Sequence, residues 1–205
     1  MTTTKTAMKL TLAGALLAGS CAIASAQQAQ TVRVRGTIEK VDGNTLTLKT
    51  GDGEQKLTLT GNAQIVAVVK ASMADIKANT FLGSAAMPQP DGTQKALEVH
   101  IFPEAMRGTG EGHRPFNVPG STMTNGTADG ATVSGVDGAA IKLKYKDGEK
   151  VIVVPPNVPI TRYEIGSAAD LKAGAAFTIT AATKKPDGAL EAARINVGRD
   201  GTVPQ

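Results

Sequence analysis

The chain has 205 residues, 41% of them hydrophobic and 3% aromatic with no tryptophan, and carries a formal charge of +4. Lys5 and Lys9 supply two of those charges, and 18 acidic residues are interspersed with the remaining lysines and arginines, so no single-sign field marks the chain for nucleic acid or an anionic membrane. Cys21 is the only cysteine; once it leaves with a leader, disulfides, Cys-ligated zinc, iron–sulfur clusters and thiol catalysis are excluded.

The leader is the first predicted element. Lys5 and Lys9 precede an apolar run at 10–18 and the small-residue triplet Ala24-Ser25-Ala26, which is the pattern of a secretory signal peptide over 1–26 cleaved after Ala26. Ala18-Gly19-Ser20 lacks the large aliphatic that a lipoprotein signal places upstream of its cysteine, so cleavage is expected in preference to a lipid anchor at Cys21. The apolar run falls short of the roughly 18 residues that a membrane-crossing helix needs, and no later segment is longer. A periplasmic or secreted protein without a transmembrane segment is expected.

An internal repeat organises the rest. Val41-Asp42-Gly43-Asn44-Thr45-Leu46-Thr47-Leu48-Lys49 recurs as Val136-Asp137-Gly138-Ala139-Ala140-Ile141-Lys142-Leu143-Lys144, an offset of 95 residues. The offset persists from Ser72-Met73-Ala74-Asp75 to Ser167-Ala168-Ala169-Asp170, and becomes 96 where Asp91-Gly92 meets Asp187-Gly188. In each copy, Asp-Gly turns separate runs in which apolar residues alternate with polar ones: Leu46, Leu48, Leu57 and Leu59 in the first, Ile141, Leu143, Ile152 and Val154 in the second. A period of two marks strands with one buried face. A fourth strand is expected over 65–69, a fifth over 81–85 and a sixth over 96–102, with one short helix opened by Ser72 or Ser167 and its acidic partner.

In the sixth strand, Leu97, Val99 and Ile101 are expected to face the core, and Glu98, His100 and Phe102 the other side. Copy two places Arg194 and Asn196 at matching outer positions. Phe81 and Phe177, aligned by the repeat, are expected in the core.

Short strands of this number bury their edges by closing on themselves, so the expected fold is mainly all-β: two tandem small OB-like β-barrels, each with one short helix. The first domain covers 27–102 and the second 127–198. Between them, 103–126 is a Gly/Pro-rich linker or ordered loop, and 199–205 is a C-terminal tail.

Gly36-Thr37-Ile38-Glu39-Lys40-Val41-Asp42-Gly43 and Asp170-Leu171-Lys172-Ala173-Gly174 make the repeat unit resemble a bacterial domain family of uncharacterised function, the DUF5666 type. The resemblance covers both copies and implies no catalytic residue. Copy one departs from the pattern at Asn79, where the family carries glycine.

Both histidines lie at the end of copy one. His100, Glu104, Met106, Glu111 and His113 together could hold Zn²⁺ or Cu²⁺, or Cu(I) through the methionine, although their spacing matches no tight ligand motif. Arg107, Arg114 and Phe116 flank Gly108-Thr109-Gly110-Glu111-Gly112 and are the candidate ligand or partner residues. That glycine run lacks the strand-to-helix context and the Lys-Ser/Thr of a phosphate loop. No Gly-x-Ser-x-Gly elbow or distinctive carboxylate pair points to an enzyme.

The function expected is a non-catalytic exported binding or adaptor module for an envelope protein or saccharide, with no cofactor and no nucleic acid. A periplasmic Cu- or Zn-binding protein using the histidines is the alternative.

Overall fold

The computed structural model describes Thr2 and residues 31–133 and 138–205. The expected leader, Cys21 and the Val136-Asp137 turn lie outside the described residues. The described chain is predominantly β. The first copy forms β1 (Thr31–Asp42), β2 (Thr45–Thr50), β3 (Gly53–Lys70), β4 (Phe81–Pro88) and β5 (Gln94–Ile101). After them come β6 (Gly112–Pro115), β7 (Thr122–Val133), β8 (Ala139–Tyr145), β9 (Gly148–Val154), β10 (Ile160–Ile165), β11 (Ala176–Lys184) and β12 (Leu190–Gly198). Among the described residues, no helix is long and apolar enough to cross a membrane.

Alternation places the strands as expected. Leu46, Leu48, Leu57, Ile141, Leu143 and Ile152 are fully buried, and each removes enough apolar surface to contribute roughly 1.5–3 kcal/mol. Phe81 and Phe177 are also core residues. The expected third and fourth strands of copy one fuse into the single β3, whereas their counterparts β9 and β10 stay separate. Pro155, Pro156 and Pro159 cause the difference, because proline cannot donate to a strand ladder and copy one has none there. Each expected short helix is a single 3-10 turn, Met73–Asp75 or Ala168–Asp170. The Asp75 carboxylate accepts from the Ser72 backbone N–H at 2.8 Å, as Asp170 does from Ser167 at 2.8 Å.

The twelve strands form one continuous sheet in which two sets of five close into rings. The first ring runs β1-β2-β3-β12-β11 and returns to β1; the second runs β4-β5-β9-β8-β7 and returns to β4. Each ring therefore takes strands from both copies. The second ring is continuous in sequence, and the first is built from the segments on either side of it.

The cores follow the rings. Ile38, Leu46 and Leu57 of copy one pack with Phe177, Ile179 and Ile195 of copy two, while Leu82 and Val99 pack with Ile141, Leu143 and Ile152. β10 joins the rings, pairing antiparallel with β3 and parallel with β5.

The segment 103–126 is ordered, with a 3-10 turn at Glu104–Met106, β6, and the start of β7. β6 pairs with β7, and Met106 is buried against Val66, Phe81 and Phe102.

Candidate functional site

The outer faces of β5 and β12, one from each copy, meet where the rings join. They border a cleft of about 300 Å³ also lined from β1, β7, β10 and the 103–126 segment. Glu98 and His100 come from β5, and Arg194 and Asn196 from the corresponding positions of β12. The repeat therefore brings its paired outer positions into one concavity, but with different chemistry on the two sides.

His100 corrects the expectation that it faces away from any core. Its side does oppose Val99 and Ile101, yet that side is covered and the residue is only 8% exposed. Its ring stacks on Tyr163 with centroids 5.1 Å apart and meets Phe102 edge-on at 5.2 Å. Leu97 is a second correction: it is 40% exposed rather than core. The register of β4 against β5 jumps from Glu98 to Ala96, so Leu97 bulges out of the ladder and the alternation resets around it.

Burial, followed by the Arg194 and Arg114 charges, pushes the His100 pKa down to about 4, so the imidazole is neutral near pH 7. No hydrogen bond engages either ring nitrogen among the described residues. Next to it, Asn125 is 4% exposed; its Nδ2 donates to the Thr109 carbonyl at 3.0 Å, while its Oδ1 has no partner. Both side chains press on Gly83, where a Cβ would collide with His100 Nε2 and Asn125 Oδ1. A buried polar atom left without a partner costs about 1–3 kcal/mol, and so directs attention to what could satisfy it.

The charges in the cleft are uneven. Arg33, Arg114 and Arg194 line it with one acidic side chain, Glu98, and Gln205, the last of the described residues, borders it too. Among the described residues none of the three arginines makes an ion pair; the pairs involve other side chains. Arg114 donates to the Gly110 carbonyl at 2.7 Å, Arg194 to Asn196 Oδ1 at 3.2 Å, and the Arg33 guanidinium lies 5.9 Å from the centre of the Phe116 ring. Burial raises the Glu98 pKa, with Arg33 opposing it. Burial, and then the Glu98 charge, push the Tyr163 phenol up to about 12.

Of the residues singled out from sequence for ligand contact, Arg114 and Phe116 line this cleft. Arg107 does not. It grips Glu104 at 2.6 and 2.7 Å, donates to the Asn79 carbonyl at 2.9 Å and sits 5.8 Å from the Phe81 ring centre. The five candidate metal ligands are dispersed. Glu104 is held by Arg107, Met106 is in the core, and Glu111 accepts from the Lys146 backbone N–H at 3.1 Å. His113 Nδ1 hydrogen-bonds Thr124 at 2.8 Å beside Tyr145, apart from the Tyr163 stack of His100. Among the described residues, no group of three or more His, Cys, Asp or Glu side chains is placed to hold a metal ion.

Sequence reading missed Arg33, Asn125 and Tyr163. Their signal was the repeat itself, since outer positions of equivalent strands converge once the copies pair. A larger concavity of about 640 Å³ lies at turns including Gly51-Asp52 and Asp187-Gly188, but its exposed charges of both signs, such as Arg35, Lys56, Asp52 and Glu54, converge on no buried unpartnered group. No family model, curated protein or solved structure matches the chain.

Proposed function

We propose that this is an exported, non-catalytic binding module whose ligand sits in the cleft between the two rings. The observation that carries the reading is the pair His100 and Asn125: both are buried, both line the cleft, and the Asn125 Oδ1 atom has no partner. A concave site with a few converging polar groups and perturbed titrations is where a small ligand binds. In this reading each ring is a small OB-like barrel, and the two copies are DUF5666-like units that have exchanged their final strands. Catalysis is disfavoured because His100 is held neutral and stacked, with neither a nucleophile nor a carboxylate bonded to it.

A thermal-shift screen of saccharides and small organic acids tests this, using the mature chain and a Thr180→Trp variant. Thr180 is exposed at the cleft, so the large ring fills the site without entering a core. A ligand that stabilises the mature chain but not the variant, and is recovered unchanged by mass spectrometry, supports the reading. Equal stabilisation of both proteins, or turnover of the ligand, contradicts it.

A further inference from the structure

We infer that the ligand is a hydroxylated carboxylate of about single-sugar size, its carboxylate held among Arg33, Arg114 and Arg194 and its hydroxyls donating to Glu98. The inference rests on the reading of the cleft as a ligand seat and specifies its chemistry.

Three arginines from β1, β6 and β12 share one cleft, and among the described residues none of them pairs with a carboxylate. A planar guanidinium offers two parallel donors that match the two oxygens of a carboxylate, and of the three Arg194 is partly buried, which strengthens such bonds, while Arg33 and Arg114 are exposed. Among its side chains the lining carries three positive groups against Glu98, an excess that favours an anion.

An anion without donors leaves half the site unanswered. An ionised Glu98 only accepts, so the same ligand must also bring O–H or N–H groups to that side. Sulfate or a fully ionised diacid lacks them, and a plain aromatic acid carries its charge without any donor. Phe116 and Tyr163 supply apolar faces for the C–H surface of a ring. The volume of about 300 Å³ lies at the lower end of the usual range for small-molecule sites, which fits a single acidic sugar or a free hydroxy acid rather than a long chain.

Isothermal titration of the mature chain with four probes tests the proposal: glucuronate, gluconate, glucose and benzoate. Glucuronate and glucose share ring and hydroxyls and differ in the carboxylate, benzoate keeps the carboxylate without hydroxyls, and gluconate distinguishes an open hydroxy acid from a ring. Binding of glucuronate or gluconate about tenfold or more tighter than of glucose and benzoate is expected. Arg33→Gln with Arg194→Gln should remove that preference, and the comparison of probes on the unaltered chain holds even if the variant folds poorly. Glucose binding as tightly as glucuronate, with chemical-shift changes at Tyr163 and Asn125, overturns the anion assignment and leaves the ligand seat intact. Shifts from every probe confined to residues outside the cleft overturn both.

Discussion

Val68 and Tyr163 occupy equivalent positions in the two copies, 95 residues apart, and they face each other directly across the antiparallel pair β3–β10. Thr161 opposite Lys70 and Ile165 opposite Val66 are likewise matched pairs, related by exchange of copies. A local two-fold axis therefore passes between Val68 and Tyr163, and the chain has the form of a symmetric dimer fused into one polypeptide with its end strands traded. Divergence about that axis makes the site: Glu98 on one side answers to Arg194 on the other, and His100 to Asn196.

The buried imidazole links stability to pH. Its folded value of about 4 lies below the ordinary 6.5, so between them the unfolded chain binds more protons, and stability falls as pH drops from 6.5 towards 4. Burial sets the sign, and the Arg194 and Arg114 charges beside the ring add to it, with Glu98 in the same cleft. Up to about 3 kcal/mol is at stake. Urea midpoints across this range should fall less in His100→Gln than in the parent; parallel curves would contradict the assignment.

Asn79 sits at φ 67°, a left-handed conformation that the corresponding Gly174 adopts at 86°. The departure from the glycine pattern keeps its backbone because asparagine tolerates that region better than most residues. Asn79→Gly should leave stability within about 1 kcal/mol, whereas Asn79→Val should cost roughly 1–2 kcal/mol or more in denaturant melts. Equal tolerance of both would show that this turn is free to change conformation.

Arg199 ties the end of β12 to the Ala168–Asp170 turn, holding Asp170 at 2.6 and 3.1 Å and Glu164 at 2.6 Å. The Arg199 hydrogen bond is the main reason the Asp170 carboxyl lies below its ordinary 3.8, so the stability it supplies is present above that pH and is lost in acid below it. With the guanidinium a third exposed, Arg199→Leu should cost about 1–2 kcal/mol near pH 7 and less in strong acid. Calorimetric melts at the two pH values check both parts.

Gly83 leaves no room for a methyl group between His100 and Asn125. Gly83→Ala should destabilise by about 1–3 kcal/mol through overpacking, and should weaken binding in the cleft by displacing the imidazole into it. A melting temperature and affinity equal to the parent's would place free space where the structure has none.

Much of the strand content was legible because Leu46, Leu48, Ile141 and Ile152 obey a strict period of two, and the paired Ser-x-x-Asp sequences mark the 3-10 turns Met73–Asp75 and Ala168–Asp170. Strand partners were not legible. Closing β1 against β4 of its own copy or against β11 of the other buries the same faces, so hydrophobic pattern does not choose between them. The site was legible in part: Arg114 and Phe116 stand out beside the glycine-rich run, whereas Arg33, Asn125 and Tyr163 are ordinary strand residues until the copies meet. His100 read as outward because alternation reports which face a residue occupies, not what later covers that face.

The exchange of strands creates the cleft, and cysteine crosslinking measures it most directly. The chain from Gln27 onward contains no cysteine, so introduced pairs have no competitor. Thr31 on β1 lies opposite Thr183 on β11, and the repeat aligns Thr183 with Met87 of copy one. A short thiol crosslinker should join Thr31→Cys to Thr183→Cys within one monomer in high yield and leave Thr31→Cys with Met87→Cys unjoined. Efficient crosslinking of the second pair and not the first would show that each copy closes on itself, and would contradict the account.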